Sequence, residues 1–176
     1  VLHASMQLIF GTFYVALGNI ADYSGDSIVN PANNACLGGG GADGAISRVG
    51  GRRLQAAREA LPESSPGVRI ETGGVVSTPG FDLPARHVIH AAPPDYRGLG
   101  HGATRSDLDR RLVSCYALAL REAELLRAEH IALSPLSARA SRGRVAQRPL
   151  LAARSRPLPP PPPPLLTSRL TSISYS

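Results

Sequence analysis

Residues 28–51, IVNPANNACLGGGGADGAISRVGG, constrain this chain more than any other stretch. Ile28 and Val29 are β-branched and apolar, the composition of a central strand. Asn30, Pro31, Asn33 and Asn34 end that strand with turn chemistry. Gly38, Gly39, Gly40 and Gly41 leave a backbone with no side chain to block a ligand and no penalty for positive φ. Ala45, Ile46, Val49, Leu54, Ala57 and Leu61 then recur at helical spacing. A helix N-terminus beside glycines presents free amides and the positive end of the helix dipole, an anion site suited to phosphate. No Lys-Ser/Thr follows the glycines, so this is not a P-loop, and no acidic residue in a following strand completes a GxGxxG dinucleotide fingerprint.

The string VNPAN followed by GGGGADGAI closely resembles the macrodomain family, and within it the MacroD-like and plant ADP-ribose-processing branch. The resemblance runs from the first strand to about Leu133 and is most specific over residues 30–44. It implies a three-layer α/β/α fold with a mixed central sheet over residues 1–134. In that family the segment holds the diphosphate and distal ribose of ADP-ribose. Carried onto this chain, the expected ligand-binding residues are Asn19, Ile20, Ala32, Asn33, Gly38, Gly39, Gly40, Gly41, Ala42, Asp43 and Gly44.

Asn33 and Asp43 are the expected catalytic pair. The Asn33 amide both donates and accepts, which suits a ribose diol; an Asn in a tight turn is the plainer account. Asp43 at a helix start stabilises the dipole, and in MacroD-like hydrolases the matching Asp helps orient or activate the distal ribose or a water. Two positions depart from the family pattern. Gly18-Asn19-Ile20 stands where Gly-Asp-Ile is usual; an Asn carbonyl still accepts from the adenine amino group but has lost the charge, or Asn19 merely caps a turn. Ser47 stands where relatives often carry His.

The chain of 176 residues is long enough for one domain with a core of its own. No stretch of about 18 apolar residues exists, so no membrane span is expected. The start at Val1 leaves room for a removed targeting segment, and no charged start with an apolar core is visible. Two cysteines, Cys36 and Cys115, suggest a reducing, intracellular setting rather than a disulfide scaffold. The net charge of +6 is not a nucleic-acid signal for the domain. All the basic residues are Arg, and seven of them (139, 142, 144, 148, 154, 156, 169) lie beyond Glu129, where no acidic residue occurs.

Along the chain, residues 8–17 suggest one or two strands broken near Gly11. Asp26 is expected to cap its loop. Residues 68–77 suggest a strand with an irregularity at Gly73-Gly74, and residues 86–90 a second strand in which His87 and His90 are sheet residues. Residues 104–129 form the clearest helix, with Ser106 and Asp109 hinting at a cap and Leu108, Leu112, Cys115, Ala119, Ala123 and Leu126 marking one face. Residues 130–133 suggest the next sheet strand. No His/Cys/Asp cluster has metal-site spacing, and neither metal nor cofactor is implied.

After Leu133 a macrodomain should continue with a second glycine loop closing on the diphosphate, a helix and a last strand. Here Arg, Pro, Ser, Ala and Leu dominate, and residues 159–164 are a polyproline run. The expectation is a domain over 1–134 that lacks its C-terminal elements and a disordered tail over 135–176. The abrupt change suggests a splice, frame or mis-joined product. A PxxP segment flanked by Arg could also dock weakly on SH3 or WW domains.

Three functions follow. The first is hydrolysis of ADP-ribose attached through its distal ribose, from an acidic side chain or as O-acetyl-ADP-ribose. The second is an ADP-ribose-binding module without chemistry. The third is an inactive truncated product. A monomer, with no membrane and no specific nucleic-acid partner, is expected.

Overall fold

A computed structural model describes residues 2–8, 11–98 and 102–137. The chain divides into two units, Val1–Arg142 and Gly143–Ser176, and the second lies wholly outside the described residues. Strands β1 (Leu2–Leu8) and β2 (Gly11–Ala16) pair antiparallel as a separate two-stranded sheet. The break near Gly11 is where the sequence put it, but the first strand reaches back to Leu2 instead of starting at Leu8.

The main sheet has four strands: β3 (Ser27–Pro31), β4 (Val75–Pro79), β5 (His87–Ala91) and β6 (Ile131–Leu133), in the order β4-β5-β3-β6. β3 runs parallel to β5 and β6, and β4 is antiparallel to β5, so the sheet is mixed. Successive side chains of a strand point to opposite faces. Ile28 and its partner Val88 accordingly pack with Ile46 and Leu54 of helix α1 (Ala42–Glu59). Val29 and Ile89 pack on the other face with Cys115, Ala119 and Ala123 of helix α2 (Arg105–Leu125). This is the three-layer α/β/α arrangement, and it explains why a central parallel strand is apolar on consecutive positions. Each of the fully buried Ile, Leu and Val side chains contributes roughly 1.5–3 kcal/mol.

Three boundaries differ from the sequence expectation. The strand expected over residues 68–77 begins only at Val75. The amides of Arg69 and Ile70 donate to the Asn34 carbonyl, and the Ile70 carbonyl accepts from Asn34 Nδ2, so this segment is tied to the loop after β3. Gly73, at φ 98°, then turns the chain. The cap of α2 is Thr104 with Asp107 in a reciprocal capping box, not Ser106 with Asp109; the Asp109 carboxylate accepts from the Tyr96 hydroxyl instead. Asp26 does not close its own loop: its Oδ2 accepts from the amides of Glu129 and His130, fixing the entry to β6.

Among the described residues no further strand occurs beyond β6, and no helix is long and apolar enough to cross a membrane. The expected disordered tail and its polyproline run lie outside the described residues, apart from the few residues up to Ser137. Within those, Ser134 Oγ donates to the Val29 carbonyl and Ser137 Oγ to the Pro94 carbonyl, so the chain leaving β6 stays beside β3 and β5.

Candidate functional site

The parallel strands β3 and β5 end at one edge, where the loop after β3 leads into α1. Loops at the carboxyl ends of parallel strands are where open α/β sheets bind ligands. The loop is shaped by its own side chains. Asn33 Oδ1 accepts from the Cys36 amide at 2.9 Å, and Asn33 Nδ2 donates to the Gly38 carbonyl at 3.0 Å. Cys36 lies in the left-handed region at φ 56°, as do Gly38 at 110° and Gly41 at 65°. Gly44 lets the loop fold onto the helix, because a Cβ there would lie 2.7 Å from the Gly39 carbonyl oxygen.

Gly41 is the N-cap of α1 and has no side chain to accept from the first turn. The amides of Ala42, Asp43 and Gly44 therefore have no acceptor among the described residues and stand beside the glycine run. Free amides at a helix start are groups that an anion can satisfy.

Asp43 lies deeper than its sequence position suggests. Its side chain keeps 5% exposure, and its Oδ1 accepts from Arg58 Nη2 at 2.7 Å and Asn30 Nδ2 at 2.8 Å. A Cβ on Gly39 would lie 3.0 Å from Oδ2, which has no partner among the described residues. Arg58, fully buried, also donates from Nε to the Cys36 carbonyl at 2.6 Å and from Nη1 to Ser47 Oγ at 2.7 Å. Ser47 Oγ in turn donates to the Asp43 carbonyl.

The network crosses the sheet. Asn30 Nδ2 is 3.0 Å from His90 Nδ1, and His90 Nε2 is 2.9 Å from Thr78 Oγ1. An amide nitrogen only donates, so His90 Nδ1 is the acceptor and its proton sits on Nε2, pointing to Thr78. Burial, with the positive charge of Arg58 adding to it, pushes the His90 imidazole down to about 3, and the ring is neutral at physiological pH. His90 is a buried sheet residue, as expected, but one inside the polar network. Asn30 Oδ1 is buried without a partner among the described residues.

The remaining expected site residues are placed as follows. Asn19 is exposed and caps a single 3-10 turn, Ile20–Asp22; its Oδ1 accepts from the Ala21 amide, and its Nδ2 donates to Asp22. The capping alternative is thus what its side chain does here, and one lone pair and one N–H remain uncommitted. Ile20 packs in the same cluster as Ala45 and Ile46, which brings the Asn19 turn beside α1. Ala32 is buried, its amide donating to the Ala91 carbonyl. Gly39, Gly40 and Gly41 are exposed, and Ala42 is half-buried.

Sequence reasoning missed Arg58 and Asn30. The signal for Arg58 was its place in the stripe Ile46–Gly50–Leu54–Arg58, one residue every four: a charge on the apolar face must find a buried partner. The signal for Asn30 was a polar residue inside a strand buried on both faces.

Fold and site together define an α/β protein with a glycine loop and an uncapped helix start at the ends of its parallel strands. The Macro domain family model matches residues 29–147, past the boundary that composition suggested at 134. The chain belongs to the Macro domain family. It is 45% identical over 120 residues to a macro domain-containing protein of Xanthomonas campestris pv. campestris. That match covers 68% of this chain and 64% of the relative, so the chain spans less than two thirds of that protein's length. An Oceanobacillus iheyensis macrodomain solved with ADP is 30% identical, with a TM-score of 0.69 over 76% of this chain and 68% of that one. A variant of the same macrodomain, solved with ADPR, is 30% identical with a TM-score of 0.67 over 76% of this chain and 70% of that one.

Proposed function

We propose that this edge of the sheet binds ADP-ribose and hydrolyses it from an ester linkage at its distal ribose. The observation that carries the reading is the uncapped start of α1 beside Gly38, Gly39, Gly40 and Gly41, with Gly44 allowing the loop to close on the helix. The related macrodomain solved with ADP and, as a variant, with ADPR supports the ligand class. The first-turn amides hold the diphosphate. Asn33, with one N–H and one lone pair beyond its loop bonds, meets the distal ribose. The Asn19–Ile20 turn meets the adenosine side, with Asn19 Oδ1 accepting from the adenine amino group. Asp43 orients the water or ribose hydroxyl through Oδ2, and positioning with electrostatics supplies the rate.

A binding module without turnover is the second reading. The near-complete burial of Asp43 and its engagement with Arg58 and Asn30 favour it. Turnover of a protein mono-ADP-ribosylated on acidic side chains separates the two, with Asp43→Ala as control. Release of ADP-ribose that Asp43→Ala abolishes, while ADP-ribose binding survives, supports the hydrolase; binding with no release supports the module.

A further inference from the structure

We propose that Arg58 is the positioning residue of this site: by taking Asp43 Oδ1 it leaves Oδ2 as the carboxylate oxygen that faces the glycine loop and its ligand. The proposal rests on the ADP-ribose reading above and adds a residue to it.

The contact needs a special backbone. Arg58 and Asp43 lie 15 residues apart on α1. On a straight helix that separation is about 22 Å along the axis, well beyond the reach of one side chain. The helix is broken at Gly51, at φ 67° and ψ −163°, a region open essentially to glycine alone. The break lets the second half of α1 bring Arg58 back to the first turn.

Arg58 then spans three acceptors: Asp43 Oδ1, Ser47 Oγ and the Cys36 carbonyl. These belong to the helix start and to the residue from which the left-handed loop departs, so one guanidinium fixes both walls of the site. Stability alone is a poor reason for the arrangement. Burying a guanidinium and a carboxylate costs desolvation that an aliphatic residue in the stripe of Ile46 and Leu54 would avoid. Two donors meet on Asp43 Oδ1, from Arg58 and Asn30, and none on Oδ2 among the described residues. The asymmetry gives the carboxylate one orientation.

The test is Arg58→Lys, which keeps the charge and loses the planar fork that reaches three acceptors. Its crystal structure, its ADP-ribose titration and its turnover of a mono-ADP-ribosylated protein are compared with wild type. The expected result is that the Asp43 carboxylate leaves its wild-type rotamer. The dissociation constant should change by less than about threefold, while kcat falls at least about tenfold with KM held. An unmoved Asp43, or a parallel loss of binding and kcat, overturns the proposal. Should Arg58→Lys fail to fold, Ser47→Ala removes one acceptor without stranding a charge; kcat should drop about threefold, and a wild-type rate would refute the tether. A wild-type protein that does not bind ADP-ribose defeats the ligand reading instead, and a wild type without turnover defeats the hydrolase. In either case the position of Asp43 in the variant still decides what Arg58 does.

Discussion

Arg58 and Asp43 meet at 2.7 Å although 15 residues of one helix separate them, and both are almost wholly removed from water. Removing one partner leaves an uncompensated buried charge, which costs about 3–5 kcal/mol. That is a large part of the roughly 5–15 kcal/mol by which a small domain is stable. Arg58→Met should therefore lower the urea midpoint steeply, with little change in slope. A midpoint within error of wild type would show that the pair contributes nothing to the fold.

Gly51 makes that meeting possible. An alanine there is strained at φ 67°, and its Cβ would come within 2.7 Å of Asp82 Oδ2. Gly51→Ala should destabilise by about 1–3 kcal/mol and lower kcat on a mono-ADP-ribosylated protein even though Gly51 is not expected to touch ligand. A neutral effect on both, by thermal melting and steady-state kinetics, would show that the break is not needed.

Gly44 is tested differently, because the obstacle is backbone. A Cβ 2.7 Å from the Gly39 carbonyl cannot be relieved by rotating a side chain. Gly44→Ala should push the loop off the helix start, costing at least about tenfold in affinity (about 1.4 kcal/mol). Wild-type affinity in this variant would remove the glycine loop from the phosphate site.

The buried, neutral His90 makes stability depend on pH. Its folded pKa of about 3 lies below the ordinary 6.5, so the unfolded chain binds the extra proton between those values. At pH 7 the group costs nothing; as pH falls below about 6.5, stability drops by up to about 1.4 kcal/mol per unit. Below about pH 4 Asp26 adds to the loss. Burial alone would raise its carboxyl, but the amides of His130 and Glu129 and the charges of Arg86 and His130 lower it, so its stabilisation disappears as it is protonated. Urea denaturation at pH 7, 6 and 5 should show the first slope, and His90→Gln should flatten it. A pH-independent midpoint over that range would contradict the assignment.

Much of this arrangement was legible because local chemistry and tertiary structure agree. Ile28 and Val29 sit in a strand covered on both faces, and the four glycines followed by Ala42–Gly44 show where strand gives way to helix. Where the two conflict, the sequence misled. Residues 68–74 have strand-like composition, but Asn34, over thirty residues earlier, takes their hydrogen bonds. Ser106 and Asp109 fit a cap as well as Thr104 and Asp107 do, and only the side-chain geometry chooses. The site was half visible for the same reason. Asn33 and Asp43 stand in the motif; Arg58 enters from the far end of a helix whose break at Gly51 no periodicity reveals.

Calorimetric titration of the purified chain with ADP-ribose, with AMP as control, decides whether the glycine loop is a ligand site. Saturable binding of ADP-ribose with much weaker binding of AMP is the predicted result, since the first-turn amides of α1 need the diphosphate to bind tightly. A chain that melts cooperatively but binds neither would contradict the account, leaving the glycine loop as part of the fold and not a ligand site.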